Sequence, residues 1–395
     1  MATMPAVPQA PETAPLGTPP VAAPATSGLP ATRPVATGAR TGRVRRFLQG
    51  ARARALEPAE DYGWFGPDSV AWRVWSYPTG LTVGFSRAVV VEELDPFLIA
   101  PVKVSSKIYQ QPKVRYDRTV RYFATCLFGD TRSIAKASGI LTKVHARVAA
   151  PDPVSGLLSD PNNPEQQLYI HMTAWHSILY TYEVFGPGRL SAADEEQFWA
   201  ECRIAAHAQT IDPESIPTTR AGVREYFDRM RPRLAASEAT QEAMAHLMDV
   251  GPFAPELPRA LQPLVKVVGW FFRAAVLSTM PQYQRRLANL GQPRWVDVAI
   301  KPVMRVSFRL VDRSVRAKLM LLAILSPSTV TVAGQVLAGV PARNAEVLSP
   351  EETYRRHDAP TPKELYAELG HDQSTVVFTP SAPVPLEVAE RAAVH

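Results

Sequence analysis

The sequence lacks the features of several common protein classes. Its two cysteines, Cys126 and Cys202, have no CxxC partner, so neither a disulfide framework nor a thiolate zinc site is expected. GxGxxG, Walker and GxSxG motifs are missing as well. No uninterrupted apolar run reaches about 18 residues, the length that spans a bilayer. The nearest, residues 319–340, is broken by polar residues and glycine, and it predicts a buried helix, a break and a second short helix.

A strongly basic surface is also missing from the part of the chain that should fold. The formal net charge of +6 arises at the N-terminus, where residues 1–56 carry seven arginines and one acid, Glu12. Removing these from the totals of 43 and 37 leaves 36 basic and 36 acidic residues in 57–395. A neutral domain creates no long-range field that would attract a polyanion, so no nucleic-acid partner is expected.

The two ends of the chain have the composition of tails. Residues 1–56 are rich in Ala, Pro and Thr, which predicts disorder. Arg45-Arg46-Phe47-Leu48 resembles the core of a twin-arginine export signal, but charged residues follow where an apolar stretch is required, so a cytoplasmic protein is expected. The expected organisation is a tail over 1–56, one domain over 57–345 and a loosely held polar tail over 346–395.

Helical periodicity dominates the region between these tails. Residues 118–128 carry apolar side chains on one face, and Asp130 or Thr131 should cap the helix that follows Gly129. That second helix should bury one stripe, which consists of Ile134, Ala137, Leu141, Val144, His145 and Val148. A third helix, about 166–185, repeats apolar positions through His171, Trp175, Ile178 and Tyr182. Further helices follow to about residue 339. The pattern predicts an all-α fold with one helical domain.

Candidate site residues lie on the first three of these helices. His145 and His171 each fall on an apolar stripe, and imidazole is a common ligand of haem iron, which helical proteins hold between facing helices. Arg115 and Thr119 are one turn apart and supply guanidinium and hydroxyl groups, with Arg118 beside them. Taken singly, each feature is better explained as structural, because a core histidine is satisfied by one polar partner.

The order of these elements resembles a known family. "RYDRTVRYFATCLFGD", "LTKVHARV" and "LYIHMTAWHSILYTYEVFGPGRLSAADEEQFWAEC" occur in sequence, and "FGPDSVAWRVW" precedes them. Together they resemble the catalytic domain of the MpaB and rubber-oxygenase (latex-clearing protein) family. The resemblance covers about residues 62–235 and extends more weakly to about 340.

This resemblance implies a haem b oxygenase, an oxidoreductase whose haem pocket lies between helices. His145 would be the proximal iron ligand, and His171 would line the pocket as the second candidate for that role. Arg115, Arg118 and Thr119 would lie on the distal side of the haem or at its propionates. The implied partners are O₂ and an apolar small molecule, often isoprenoid, which undergoes oxidative cleavage of a C=C bond or hydroxylation.

Two departures from the family pattern keep other functions open. Asp95-Pro96 stands where members commonly have His-Pro, and Thr142 stands where an arginine often precedes the proximal histidine. These departures motivate an alternative, a protein of the same fold that binds haem or an apolar ligand without turnover. A third hypothesis is a peripheral membrane protein, held by the arginine tail and residues 319–340. The sequence does not indicate an oligomeric state.

Overall fold

Helices form nearly all of the regular structure in the computed structural model, which describes residues 57–98, 111–147, 150–151, 158–253 and 262–369. Within these ranges the α-helices, numbered α1 to α15 in chain order, are Val70–Trp75, Phe85–Glu92, Pro112–Phe128, Thr131–Ala146, Pro164–Phe185, Ala192–Ala206, Arg220–Met230, Glu238–Leu247, Gln262–Thr279, Gln282–Leu287, Arg294–Asp312, Val315–Leu325, Val330–Leu337, Pro350–Arg356 and Pro362–Glu368. A π-helical turn, Gly80–Gly84, leads into α2.

The all-α class predicted from the sequence is confirmed. Strand pairing in the described residues is limited to a two-residue antiparallel bridge between Ala150–Pro151 and Leu158–Ser159. All described residues belong to one compact unit, 45–395. The predicted tail over 1–56 lies outside the described residues.

Helix α5 runs through the centre of the core. It begins at Asn163, whose side chain accepts hydrogen bonds from the first backbone N–H groups, and Pro164 occupies the first helical position, where no N–H is needed. Trp175 is fully buried on α5 and packs edge-on against Trp75 of α1, with ring centroids 5.4 Å apart. The predicted stripe through His171 and Tyr182 is buried, so the third predicted helix is confirmed.

Helices α3 and α4 form a hairpin that carries three of the predicted site residues at its open end. Asp130 caps α4 by accepting a hydrogen bond from Ser133 N at 2.8 Å. Arg115 on α3 and His145 on α4 each lie roughly four turns from the Gly129 turn, so both are at the end of the hairpin away from it.

The buried face of α4 differs from the predicted apolar stripe. Val144 is 49% exposed, and Leu141 is only partly buried. The buried positions are instead Thr131, Ile134, Ala135, Ser138 and Thr142. Ser138 and Thr142 can be buried because each hydroxyl donates to the backbone carbonyl four residues earlier. Val148, the last predicted member, lies outside the described residues.

The helical region extends beyond residue 345, where the sequence suggested a loosely held tail. Helices α14 and α15 each begin with a capping box, formed by Ser349 with Glu352 and by Thr361 with Glu364. Both helices pack against α4 and bury Tyr354, Leu365 and Tyr366. Residues 349–369 are therefore packed against the helical domain, and 370–395 lie outside the described part of the chain.

Residues 319–340 form a helix, a break and a second helix, as predicted. Helix α12 ends at Leu325, a 3₁₀ turn spans Pro327–Thr329, and α13 follows. Leu322, Ala323 and Val330 are buried, which leaves little of this segment's apolar surface for a membrane. Within the described residues, no helix is both long and apolar enough to cross a bilayer.

Candidate functional site

His145 lies in the last turn of α4, where hydrogen bonds hold its ring. Its Nδ1 is 3.3 Å from the side-chain amide nitrogen of Gln167, and the ring also hydrogen-bonds the Pro161 carbonyl and the Asn162 side chain. Burial lowers the pKa of His145 to about 4, against the opposing effects of those hydrogen bonds and of the Asp160 charge. The imidazole is therefore neutral at pH 7.

A buried hydrogen-bond network fixes the surroundings of His145. Gln167 Nε2 donates to the Pro161 carbonyl at 2.9 Å, and Gln167 Oε1 accepts from Thr210 N at 3.0 Å. Asn162 Nδ2 donates to the Thr142 carbonyl at 2.9 Å, which ties the loop to α4 three residues before His145. Because every member is engaged, the network holds the ring in one orientation.

His171 is placed differently, with both ring nitrogens occupied. It is 1% exposed; Nε2 lies 2.9 Å from the Cys202 carbonyl oxygen and 3.4 Å from Cys202 Sγ, and Nδ1 lies 2.9 Å from Gln209 Oε1. Burial lowers the pKa of His171 to about 4, so the ring is neutral at pH 7. A neutral ring has one N–H to donate, so Nδ1–H can donate to Gln209 Oε1 while Nε2 accepts from the Cys202 thiol. Neither nitrogen is left for iron.

Arg115, Arg118 and Thr119 occupy the first two turns of α3. Thr119 donates its hydroxyl proton to the Arg115 carbonyl at 2.9 Å. Arg118 is exposed and Arg115 is partly buried, and neither forms an ion pair within 4.0 Å among the described residues. Among the described residues no contact joins these three side chains to His145 or His171. The α3 group (Arg115, Arg118 and Thr119) and His145 therefore lie at the same end of the α3–α4 hairpin, but no described contact joins them.

The carboxyl groups of Glu92 and Glu93, at the end of α2, interact electrostatically with Arg115. Burial raises the pKa of Glu92 to about 8, with the neighbouring Glu93 charge adding to the shift, and burial raises the pKa of Glu93 to about 7. The Arg115 charge opposes both shifts, and burial lowers its own pKa. Glu93 Oε2 is buried and has no hydrogen-bond partner among the described residues. A carboxyl that titrates near pH 7 can hold or release a proton under working conditions.

The two departures noted in the sequence are both buried. Asp95 is 1% exposed; its Oδ1 accepts from Phe97 N at 3.0 Å, and its Oδ2 lies 4.0 Å from an Arg233 guanidinium nitrogen. Thr142 is 2% exposed and bonds to the Ser138 carbonyl, so an arginine in that place would need a different arrangement of α4. Asp95 therefore takes part in a buried charge cluster where a histidine is common in the family.

Sequence reasoning missed Gln167, Gln209 and the Glu92-Glu93 pair. Gln167 precedes His171 by four positions on one helix face, a spacing that the sequence does display. Two adjacent acids inside the mostly apolar stretch 88–94 were also visible. Gln209 follows the end of α6, and no local pattern connects it with His171.

A small, partly open apolar pocket lies apart from these residues. It is bounded by α1, the π turn, α3 and α12, and its lining includes Trp75, Leu81, Val120 and Leu322. About 30 Å³ of space admits a water-sized group only. None of the five predicted site residues lines it.

The carboxyl pair predicts how stability depends on pH. Glu92 and Glu93 have folded pKa values of about 8 and about 7 against an ordinary 4.5, so the native state holds protons that the unfolded chain releases. Their contribution is lost as pH rises through those values. Between about pH 5 and pH 7, above the unfolded and below the folded pKa values, the contribution of these two carboxyls to the free energy of unfolding should fall by up to about 1.4 kcal/mol per pH unit for each proton. Glu93→Gln should make this slope shallower.

Urea denaturation at several pH values measures that slope. Glu196→Gln, at an exposed position, is the matched control and should keep the wild-type slope. Equal slopes in wild type and Glu93→Gln would show that Glu93 is ionised at pH 6.5.

Comparison with known families adds one finding. The family model described as "ER-bound oxygenase mpaB/B'/Rubber oxygenase, catalytic domain" matches residues 72–316, more than half of the chain. This match confirms the resemblance drawn from the sequence. Among curated proteins and solved structures, the comparisons find no match.

Proposed function

Because the chain belongs to the family of ER-bound oxygenase MpaB/B' and rubber-oxygenase catalytic domains, we propose that it is a haem b-dependent oxygenase acting with O₂ on an apolar, alkene-containing substrate. Family membership makes the chain an oxygenase and therefore an oxidoreductase. The haem, its ligand and the substrate are our proposal. The observation that carries it is His145, a neutral imidazole at the open end of the α3–α4 hairpin whose ring is oriented by Gln167, Pro161 and Asn162.

The donor set fits a haem. Among the described residues no group of three or more His, Cys, Asp or Glu side chains could hold a bare metal ion. A haem iron takes four nitrogens from the porphyrin and needs only one or two ligands from the protein. His145 could supply one, since a ligating imidazole binds through an unprotonated nitrogen while its other nitrogen keeps a proton, which the Pro161 carbonyl can accept. In this proposal His171 is a structural residue and does not bind the iron.

The arginines of α3 are placed to bind the propionate carboxylates of a haem. Among the described residues Arg115 and Arg118 form no ion pair, so their guanidinium groups could pair with propionate carboxylates. Bound haem would supply the binding and activation of O₂. Glu93, which titrates near pH 7, can take or give a proton at Oε2 beside Arg115. Thr119 can accept a hydrogen bond, since its own proton is given to the Arg115 carbonyl.

The proposed reaction balances without a further reductant when it is a cleavage. One C=C bond and one O₂ become two C=O groups, with one oxygen atom in each product. Hydroxylation, the second reaction class we consider, would need two electrons and two protons from a donor. An isoprenoid substrate is proposed because its repeated C=C bonds offer the chemistry that the rubber oxygenases in the family's description perform.

Oxygen uptake by the haem-loaded protein tests the proposal. An isoprenoid alkene should drive O₂ consumption, and its fully saturated analogue of equal length should not. Mass spectrometry should find two carbonyl products per O₂, each carrying one ¹⁸O label from ¹⁸O₂. Haem-loaded protein that consumes no O₂ with any alkene offered would contradict oxygenase turnover on this substrate class.

The buried departures favour one alternative function. Asp95 is engaged with Arg233, and Thr142 with the His145 network, so neither position supplies a histidine or arginine to the pocket. A protein of this fold that binds haem or an apolar ligand without turnover would keep His145 and lose the reaction. Such a carrier would show the haem spectrum with no O₂ uptake, which distinguishes it from the oxygenase.

A further inference from the structure

Helix α11 exposes apolar side chains on the face opposite to the one it buries. Its buried stripe is Val296, Ile300, Met304 and Phe308. A second stripe repeats at i, i+3, i+11 and i+15 on the outside and consists of Trp295, Val298, Val306 and Leu310. Trp295 is 68% exposed and Val298 is 70% exposed. A helix with apolar residues on both faces is expected to be covered on both.

Helix α9 continues this exposed apolar surface. It packs beside α11, and Gln292 Nε2 donates to the Ala274 carbonyl at 3.2 Å, which places the end of α9 beside the start of α11. Each of its outer apolar side chains is more than half exposed, and these are Leu264, Val267, Val268 and Trp270. We call the exposed apolar residues of α9 and α11 the α9–α11 face. Exposed apolar side chains clustered on two neighbouring helices mark a candidate interaction site.

Cations border the α9–α11 face along α11 and the start of α12. The basic residues there are Arg294, Lys301, Arg305, Arg309, Arg313 and Arg316. The acids of the same stretch are neutralised locally, because Asp297 pairs with Arg285 at 2.9 Å and Asp312 pairs with Lys318 at 3.2 Å. The net charge along α11 and the start of α12 is therefore positive, although residues 57–395 as a whole are neutral.

We propose that the α9–α11 face docks on the surface of an anionic lipid bilayer, with Trp295 and Val298 in the interfacial layer and the arginines of α11 against lipid phosphates. Exposed tryptophan, aliphatic residues and a row of cations on one helix are what an interfacial helix needs. Anionic headgroups complement the cations, each of which contributes about 1 kcal/mol near a charged membrane surface. The proposal concerns this surface alone and does not rest on haem or on turnover.

Vesicle flotation of the full-length chain tests the proposal. The protein should float with phosphatidylcholine vesicles that contain about a third phosphatidylglycerol, and less with pure phosphatidylcholine or at high salt. Trp295→Ser/Val298→Ser should lower the partition coefficient about tenfold or more, the effect of losing about 1.4 kcal/mol of binding. Arg309→Gln/Arg313→Gln should weaken binding to anionic vesicles only.

Ile140→Ser/Val347→Ser is the matched control, since both residues are more than half exposed outside the α9–α11 face. It should float as the wild type does. Equal flotation of the wild type and the Trp295 variant would assign binding to another part of the chain, such as the arginines before residue 57, and would overturn the proposal. Failure of the wild-type protein to float with anionic vesicles would also overturn it. So would a concentration-dependent dimer that the Trp295 variant abolishes, because the occupant would then be a second copy.

Discussion

His145→Ala is expected to lose bound haem and, with it, oxygen consumption. In the proposed site this imidazole is the protein's bond to the iron, and alanine offers no donor atom. Loss of a residue that merely orients a metal ligand costs about 10–100-fold in affinity, so loss of the ligand should cost more. The network of Gln167 and Asn162 would remain, and the fold should persist because His145 is only partly buried.

The measurement is haem content by absorption after loading with haemin, together with O₂ uptake. His207→Ala is the matched control, since His207 is a half-buried histidine whose ring has no hydrogen bond among the described residues. It should bind haem as the wild type does. Free imidazole should restore part of the haem spectrum of His145→Ala by filling the vacated position. Unchanged haem content and uptake in His145→Ala would refute the ligand assignment.

His171→Leu is expected to lower stability strongly and to retain haem. The substitution removes the partner of the Cys202 carbonyl and of the Gln209 amide, both of which are buried. Leaving a buried polar group unpaired costs about 1–3 kcal/mol, so the free energy of unfolding should fall by about 2–4 kcal/mol. Because both ring nitrogens of His171 already form hydrogen bonds, the substitution should not remove an iron ligand.

A double-mutant cycle with Gln209→Leu isolates the contact. The Gln209→Leu/His171→Leu pair should cost less than the sum of the two single changes, because the double variant leaves no unmatched amide. The wild type should also lose stability as pH falls from 6.5 towards 4, because the unfolded His171 ring takes a proton that the buried ring refuses. Folded His171→Leu protein without a haem spectrum would identify His171, rather than His145, as the ligand.

The sequence predicted the central helices well because their burial is periodic. In α5 the apolar positions are spaced for one helix, and Asn163-Pro164 marks its start. The same reasoning was less accurate for α4, where Ser138 and Thr142 occupy the buried face and Val144 does not. Apolar periodicity cannot identify a buried helix face that carries polar side chains. On α4 the hydroxyl groups bond to the helix backbone, and the Thr142 carbonyl bonds to a distant loop.

Helices α14 and α15 were missed for a related reason. Both are short and mostly polar, and each buries only two or three side chains, including Tyr354 and Tyr366. Their capping boxes were readable, but a start signal does not predict a helix without an apolar stripe to stabilise it.

The candidate site was predictable only as a set of residue types. The unequal roles of His145 and His171 depend on Gln167 and Gln209, which come from other segments and meet the rings only after folding. The elevated pKa values of Glu92 and Glu93 likewise depend on burial, which two adjacent acids in a sequence do not reveal.

A haemin titration of the purified full-length chain, followed at the Soret band, tests the central claim most directly. The proposed site predicts a saturable spectrum with one haem per chain and the bands of histidine ligation. A featureless, non-saturating increase in absorbance would contradict a haem-dependent oxygenase.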